Sequence, residues 1–432
     1  MSNMKQTLIS AFRTKDLRDR LIFTVLMLVV FRIGANIPVP GIDRLAFTEL
    51  IQRFGTLGSM MDLMSGGALL SVSVFAMGVQ PYINASIIMQ LLTVAIPALE
   101  EMSKEGETGR KKINRITRLL ALVLATVQSV AFYLATRSAQ VTGMSTFVNA
   151  LVVILTFVAG TSVVMWIAEL INEKGMGNGV SLLIFAGIVS RLPSMVVTLF
   201  QYIRTWSGVY HPVVGILFGL LIVGLFAAGF LLVIYVNTAE RRIPVQYARR
   251  VVGRKQYGGQ ATYLPIKVNK SSVMPVIFSM AIAQVPSLIV SIFFINSNGP
   301  VVNWFRNLGQ NPLMYIFYVV LILAFTFFYS SMQYNPVEIA NNLQKNGGFV
   351  PGIRPGRPTS DYIHRISNRL NWVDGAFLSI ITVTPMIIGA ITNTQALWLG
   401  GTSLVILVGV CLDIMNQLES QLSMRHYKGF LD

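Results

Sequence analysis

The chain has 432 residues, of which 53% are hydrophobic and only 12% charged, and its mean hydropathy is +0.62. A soluble chain carries about a quarter charged residues, so this composition excludes an ordinary soluble domain and predicts a polytopic membrane protein. The net charge of +16 would suggest nucleic acid in a soluble protein, but here its location matters more than its sum.

The first twenty residues are polar and basic, without the pattern of a cleavable secretory signal. A span needs roughly 20 apolar residues to cross ~30 Å of hydrocarbon. Such runs occur at about 18–37, 74–97, 116–136, 147–170, 180–200, 212–236, 272–296, 312–333, 373–393 and 396–417. Between the first two lies 57–72, LGSMMDLMSGGALLSV, which is too short and glycine-rich to cross. Asp62 and the serines make it a poor lipid-facing helix, so it reads as a re-entrant or interfacial piece. Irregular backbone at membrane depth needs protein or a water-filled cavity around it, so this segment points to a pore or binding site.

Lysine and arginine sort sharply by loop. The amino terminus, loops 98–118, 171–179, 237–271 and 334–372, and the tail alternate to one side and hold 27 basic residues, against seven on or near the other side. This positive-inside bias requires an even number of spans and predicts ten, with both termini in the cytosol. Ten spans divide into two sets of five, 1–200 and 201–432, the second inverted relative to the first. No clear residue-level similarity joins the halves, so that repeat is a topological expectation.

Reactive chemistry is sparse. His211, His364 and His426 fall at span ends or in loops, and no H-E-x-x-H, G-x-S-x-G or P-loop pattern occurs. A single cysteine, Cys411, excludes an internal disulfide and a cysteine-built metal site. No catalytic residue, metal or cofactor is therefore expected. The GMGNG run at Gly175–Gly179 sits between two spans and reads as a tight turn with a helix N-terminus at Asn178. Coupled transporters keep carboxylates near mid-membrane. Here Glu169 and Asp413 lie toward the cytosolic ends of their spans and are expected to be structural. An inverted-repeat secondary transporter of a small neutral solute stays open as an alternative.

The second span carries Gln80, Pro81, Asn84, Ser86 and Gln90, more amides than lipid-facing helices hold, and Pro81 can kink it. Ile83 and Ile87 share one face, as do Ile184 and Ile188 in the fifth span; periodicity alone makes them packing residues. Loops 237–271 and 334–372 are longer than topology requires. The second fixes Arg354 and Arg357 in a PGIRPGRP turn, which suits an acidic partner or RNA phosphates as well as it suits a plain topology marker.

At these residues the chain closely resembles the SecY family, the channel-forming subunits of the bacterial Sec translocon. The resemblance runs nearly end to end, through IPVPGID at 37–43, SVFAMGVQPYINASIIMQLL at 73–92, EGETGRKKINRITR at 105–118 and WIAELINEKGMGNGVSLLI at 166–184. It continues through ERRIPVQYARR, GGFVPGIRPGRPT at 347–359 and GGTSLVILVGVCLD at 400–413. The resemblance implies an all-α membrane fold of two inverted five-helix halves around an hourglass pore, opening to lipid between spans 2–3 and 7–8. Its implied function is a protein-conducting channel that translocates unfolded secretory polypeptides and releases membrane segments laterally.

By motif position the resemblance places a pore ring at Ile83, Ile87, Ile184, Ile188, Ile277 and Ile406. It places a plug at about 57–72, with Met60, Met61, Asp62, Leu63, Met64, Gly66 and Gly67. Docking of motor and ribosome falls to Arg241, Arg242, Arg249, Arg250, Arg354 and Arg357, and the lateral gate to Gln90, Gln128 and Gln284. Implied partners are small membrane subunits of the SecE and SecG kind, the SecA motor ATPase, the ribosome, signal peptides, nascent chains and the lipid bilayer. The implied location is the bacterial cytoplasmic membrane.

Overall fold

The computed structural model describes residues 12–45, 47–48, 62, 65–135, 146–209, 212–247, 250–252, 255–257, 261–293, 299, 313–392 and 400–428. Each of the ten expected spans is a helix: α1 Lys15–Gly34, α2 Gln80–Ala95, α4 Glu107–Ala135, α5 Thr146–Lys174, α6 Gly179–Val209, α7 Pro212–Thr238, α8 Met274–Phe293, α9 Leu313–Gln333, α11 Arg357–Thr392 and α12 Gly400–Lys428. Two short helices, α3 Pro97–Lys104 and α10 Pro336–Lys345, complete the set among the described residues.

Six of these helices, α4, α5, α7, α9, α11 and α12, are long and apolar enough to cross a membrane. The bent pair α2–α3, turned by 100°, makes a seventh. The protein is a multi-pass membrane protein. The three spans that miss the criterion are α1, with its basic first turns, and α6 and α8, whose apolar stretches are shorter, at Gly179–Ser194 and Met274–Ala283.

Two local expectations are revised. The second span begins at Gln80 rather than 74, with 65–79 mostly in turns, so Pro81 starts the helix instead of kinking it. Proline suits the first turn, where its missing N–H has no partner to lose. The bend falls instead at Ile96–Pro97, where Ile96 is extended (φ −110°, ψ 114°), as a residue preceding proline prefers. The GMGNG turn is as expected. Asn178 Oδ1 accepts from the Val180 and Ser181 N–H groups (3.1 and 3.3 Å), and Gly177 takes φ +91°.

The two long loops are not irregular. β1 Glu240–Tyr247 pairs antiparallel with β4 Ala261–Lys267, and β5 Gly348–Phe349 from the second loop adds to the other edge of β1, giving the order β4-β1-β5. β2 Arg250–Val252 and β3 Lys255–Tyr257 form a separate pair at the tip. Ile243, Val245 and Ile266 from the sheet pack on Leu343 of α10, Val350, and Ile363 of α11. The two loops thus share one small hydrophobic core outside the spans.

Candidate functional site

The main apolar core lies among the spans. All six candidate ring isoleucines belong to it: Ile83 and Ile87 from α2, Ile184 and Ile188 from α6, Ile277 from α8 and Ile406 from α12, each at most 4% exposed. Four helices from both halves of the sequence therefore bring branched apolar side chains into one contiguous cluster. Ala68, from the segment before α2, joins the same cluster.

That segment packs against α6 next to these isoleucines. α6 leaves the GMGNG turn, passes Ile184 and Ile188, and reaches Arg191 about 4.5 Å further along its axis. The Asp62 carboxylate, fully buried, forms an ion pair with Arg191, and its Oδ1 accepts from the Leu70 N–H at 2.8 Å. The Gly67 N–H and Ser65 hydroxyl donate to the Asp62 carbonyl (2.9 and 3.0 Å). Arg32 of α1 donates to the Gly66 carbonyl at 2.7 Å. Gly66 (φ +70°) packs so closely on α6 that a Cβ there would lie 2.8 Å from Gly187 Cα. Gly67 (φ +87°) lies against the Arg191 guanidinium. Met60, Met61, Leu63 and Met64 fall outside the described residues.

On one flank α8 packs on α2 and α4, so second-half and first-half spans meet there. Gln90 of α2 accepts from the Tyr329 hydroxyl of α9 at 2.6 Å, and its amide donates to Ser86 Oγ at 3.1 Å. Tyr329 also meets Phe278 of α8 edge-on at 5.1 Å, and Phe278 meets Phe325 at 5.9 Å. Gln128 is half-buried on α4, while the side chain of Gln284, on α8, lies outside the described residues. Tyr329 was not among the sequence candidates, since one tyrosine in an aromatic-rich span carries no signal of its own.

Next to this flank a polar belt joins the turn before α8 to α9 and α11. The Lys270 ammonium donates to the Ser367 carbonyl (3.1 Å) and Asn371 Oδ1 (3.2 Å), and sits 5.1 Å from the Tyr334 ring centre. Ser330 donates to the same Asn371 oxygen at 2.7 Å, and Ser271 donates to Asp374 at 3.2 Å. Burial pulls Lys270 down to about 8, with the Asp374 carboxylate opposing. Glu169 pairs with Arg118 of α4, in keeping with its expected structural role.

On the platform formed by the two loops Arg241, Arg354 and Arg357 are exposed and pair with no acid among the described residues, whereas Arg242 engages Glu240 at 2.8 Å. The Arg354 turn is tied to α11 by the Thr359 hydroxyl, which donates to the Arg354 carbonyl at 2.8 Å. Arg250 lies on β2, and Arg249 is outside the described residues.

A family model described as SecY matches residues 73–415. Over 98% of both chains, this sequence is 42% identical to the protein translocase subunit SecY of Streptomyces coelicolor. It is 44% identical to that of Thermotoga maritima, over 99% of this chain and 98% of the relative. Its fold is similar to a structure described as a protein-conducting channel (TM-score 0.62, 19% identity, 93% of this chain and 92% of that one). It is equally similar to one described as a SecY whose plug stabilises the closed state and maintains a membrane seal (TM-score 0.65, 19% identity, the same coverage). A third similar structure is Sec61 in the canine ribosome–channel complex (TM-score 0.59, 19% identity, 93% and 92%).

Proposed function

The chain belongs to the SecY family, and on that footing we propose that it forms a protein-conducting channel. It passes unfolded secretory polypeptides across the membrane and releases hydrophobic segments sideways into lipid. The observation that carries the site reading is the convergence of six isoleucines from α2, α6, α8 and α12 into one buried cluster, with Ala68 of the segment before α2 in the same cluster. A narrow apolar constriction excludes ions by dewetting and offers a passing chain no polar group to hold it. No observation favours the small-solute transporter.

In this reading residues 1–200 and 201–432 are inverted halves, both termini are cytosolic, and the membrane is the bacterial cytoplasmic one. Segment 57–72 is the plug, and the flank between α2–α4 and α8–α9 is the lateral gate, with Gln90, Gln128 and Gln284 its polar positions. Signal peptides enter there. Arg241, Arg242, Arg249, Arg250, Arg354 and Arg357 dock the energy source, a SecA-type motor or the ribosome. Small SecE- and SecG-like subunits complete the assembly. The exposure of Arg241, Arg354 and Arg357 on a folded platform supports the docking role.

Ion conductance of the reconstituted channel tests the ring. Ile83→Asn places an unpaired amide in the apolar cluster at a cost of about 1–3 kcal/mol, which water entry relieves. Resting leak should rise on the order of tenfold, the equivalent of ~1.4 kcal/mol on the closed–open balance. An unchanged leak for both Ile83→Asn and Ile406→Asn would remove the ring assignment.

A further inference from the structure

Arg191 had no assigned role: from the sequence it counted only as one of the few basic residues away from the cytosol. It lies one helical turn beyond Ile188 on α6, largely buried, with the Asp62 carboxylate as its partner. We infer that Arg191 is the residue that positions the plug, and that the Asp62–Arg191 ion pair is the electrostatic latch of the closed channel. This rests on the channel reading above and names the contact that its seal depends on.

Three observations converge on the latch. The pair joins two elements distant in sequence and otherwise held at this point by bare backbone contact. Gly66 and Gly187 approach so closely that a Cβ on Gly187 would stand 2.4 Å from Gly66 Cα, so α6 has no side chain at that contact, and the other side-chain tie there is from Arg32 of α1 to the Gly66 carbonyl. Asp62 also ties together the described residues that follow it: its Oδ1 receives the Leu70 N–H and its carbonyl receives Gly67 N–H and Ser65 Oγ. A pull on the Asp62 carboxylate is thereby a pull on Ser65, Gly67 and Leu70. Finally, the pair is desolvated, with the Asp62 side chain fully buried and that of Arg191 18% exposed. Removing one member of such a pair strands a buried charge, whereas removing both does not. Plug displacement must therefore come with hydration of both groups, which an entering polypeptide and its water supply.

The same logic gives a test that separates a latch from a merely structural role. The full chain is reconstituted in liposomes with its small membrane subunits, and resting ion leak is measured for Asp62→Asn, Arg191→Met and the double variant. Asn keeps an oxygen for the Leu70 N–H, so Asp62→Asn changes the charge alone. Each single variant should leak on the order of tenfold more than the parent, and the double variant less than either single one. If Arg191 only filled space, the double variant would leak at least as much as the worse single one, and that result overturns the latch. Equal amounts of each variant in the membrane and unchanged protease resistance of the cytosolic platform establish that the chain has folded. Ile83→Asn runs alongside: leak from it with none from Asp62→Asn overturns the latch and leaves the channel standing. No leak from either overturns the sealing role of the ring as well as the latch.

Discussion

At the scale of single residues, the Tyr329–Gln90 bond is the one hydrogen bond among the described side chains that crosses from α9 to α2. It is a 2.6 Å contact among apolar and aromatic neighbours, where each group would otherwise lose its hydration without return. Tyr329→Phe deletes the hydroxyl and keeps the edge-on packing on Phe278. Its net loss of about 1 kcal/mol should shift the lateral gate roughly fivefold toward opening. Export of a precursor with a weakened signal sequence is the sensitive readout, and it should rise while export of a strong precursor barely changes. A variant that exports the weak precursor no better than the parent would mean the bond does not resist opening. The polar character of Gln90 was legible in the sequence because an amide inside a span needs a reason. Its partner was not, because pairing across elements is set by packing and leaves no local pattern. The same holds for Asp62 and Arg191, each visible as a charge and neither visible as a pair.

At the scale of elements, the spans were legible because crossing hydrocarbon demands about twenty apolar residues whatever else a helix does. The ones that strain the rule are informative. Of the four helices that carry ring isoleucines, α2, α6 and α8 fall short of a long, straight apolar span, and only α12 satisfies it. On the channel reading proposed above, a helix that faces a pore and a plug is excused from an all-apolar surface, so it can hold Gln80 and Asn84, Gly187 and Arg191, or Ser279 and Pro286. The cytosolic sheet was hidden for a different reason. I-P-V-Q-Y at 243–247 alternates with period two, but Pro244 and the flanking arginines mask the strand signal.

Because Ile243 and Val245 form the core that joins both long loops, the platform should fail as a unit. Ile243→Asp strands a carboxylate in that core at a cost of at least about 3 kcal/mol. It should abolish motor-driven export together with the protease resistance of residues 240–267. Arg354→Glu should abolish export with that resistance intact, since Arg354 is exposed and its backbone carbonyl makes the turn's bond to Thr359. Resting leak should stay at the parent level in both. Normal export by Arg354→Glu would remove the arginine from docking.

At the scale of the whole molecule, the two halves of the sequence meet on two flanks of different character. On one, α12 packs on α6, and Gln417 accepts from the Gly177 N–H at 3.0 Å, in the turn that links α5 to α6. On the other, α8 packs on α2 and α4, and among the described side chains one hydrogen bond reaches across from α9 to α2. The chain also runs continuously from α6 into α7 across the boundary of the halves, so opening by separation must concentrate on the second flank. Tethering that flank is the direct test. With Cys411 replaced by serine, Gln90→Cys and Tyr329→Cys joined by a bismaleimide should stop both export and lateral release. Resting leak should stay low, because the ring and plug are untouched. The same cysteine pair without the linker should export at least as well as the parent, since it lacks the closing hydrogen bond. If the linked protein still released a hydrophobic segment into lipid, the exit would have to lie elsewhere, and the α2–α9 contact would be packing rather than a gate.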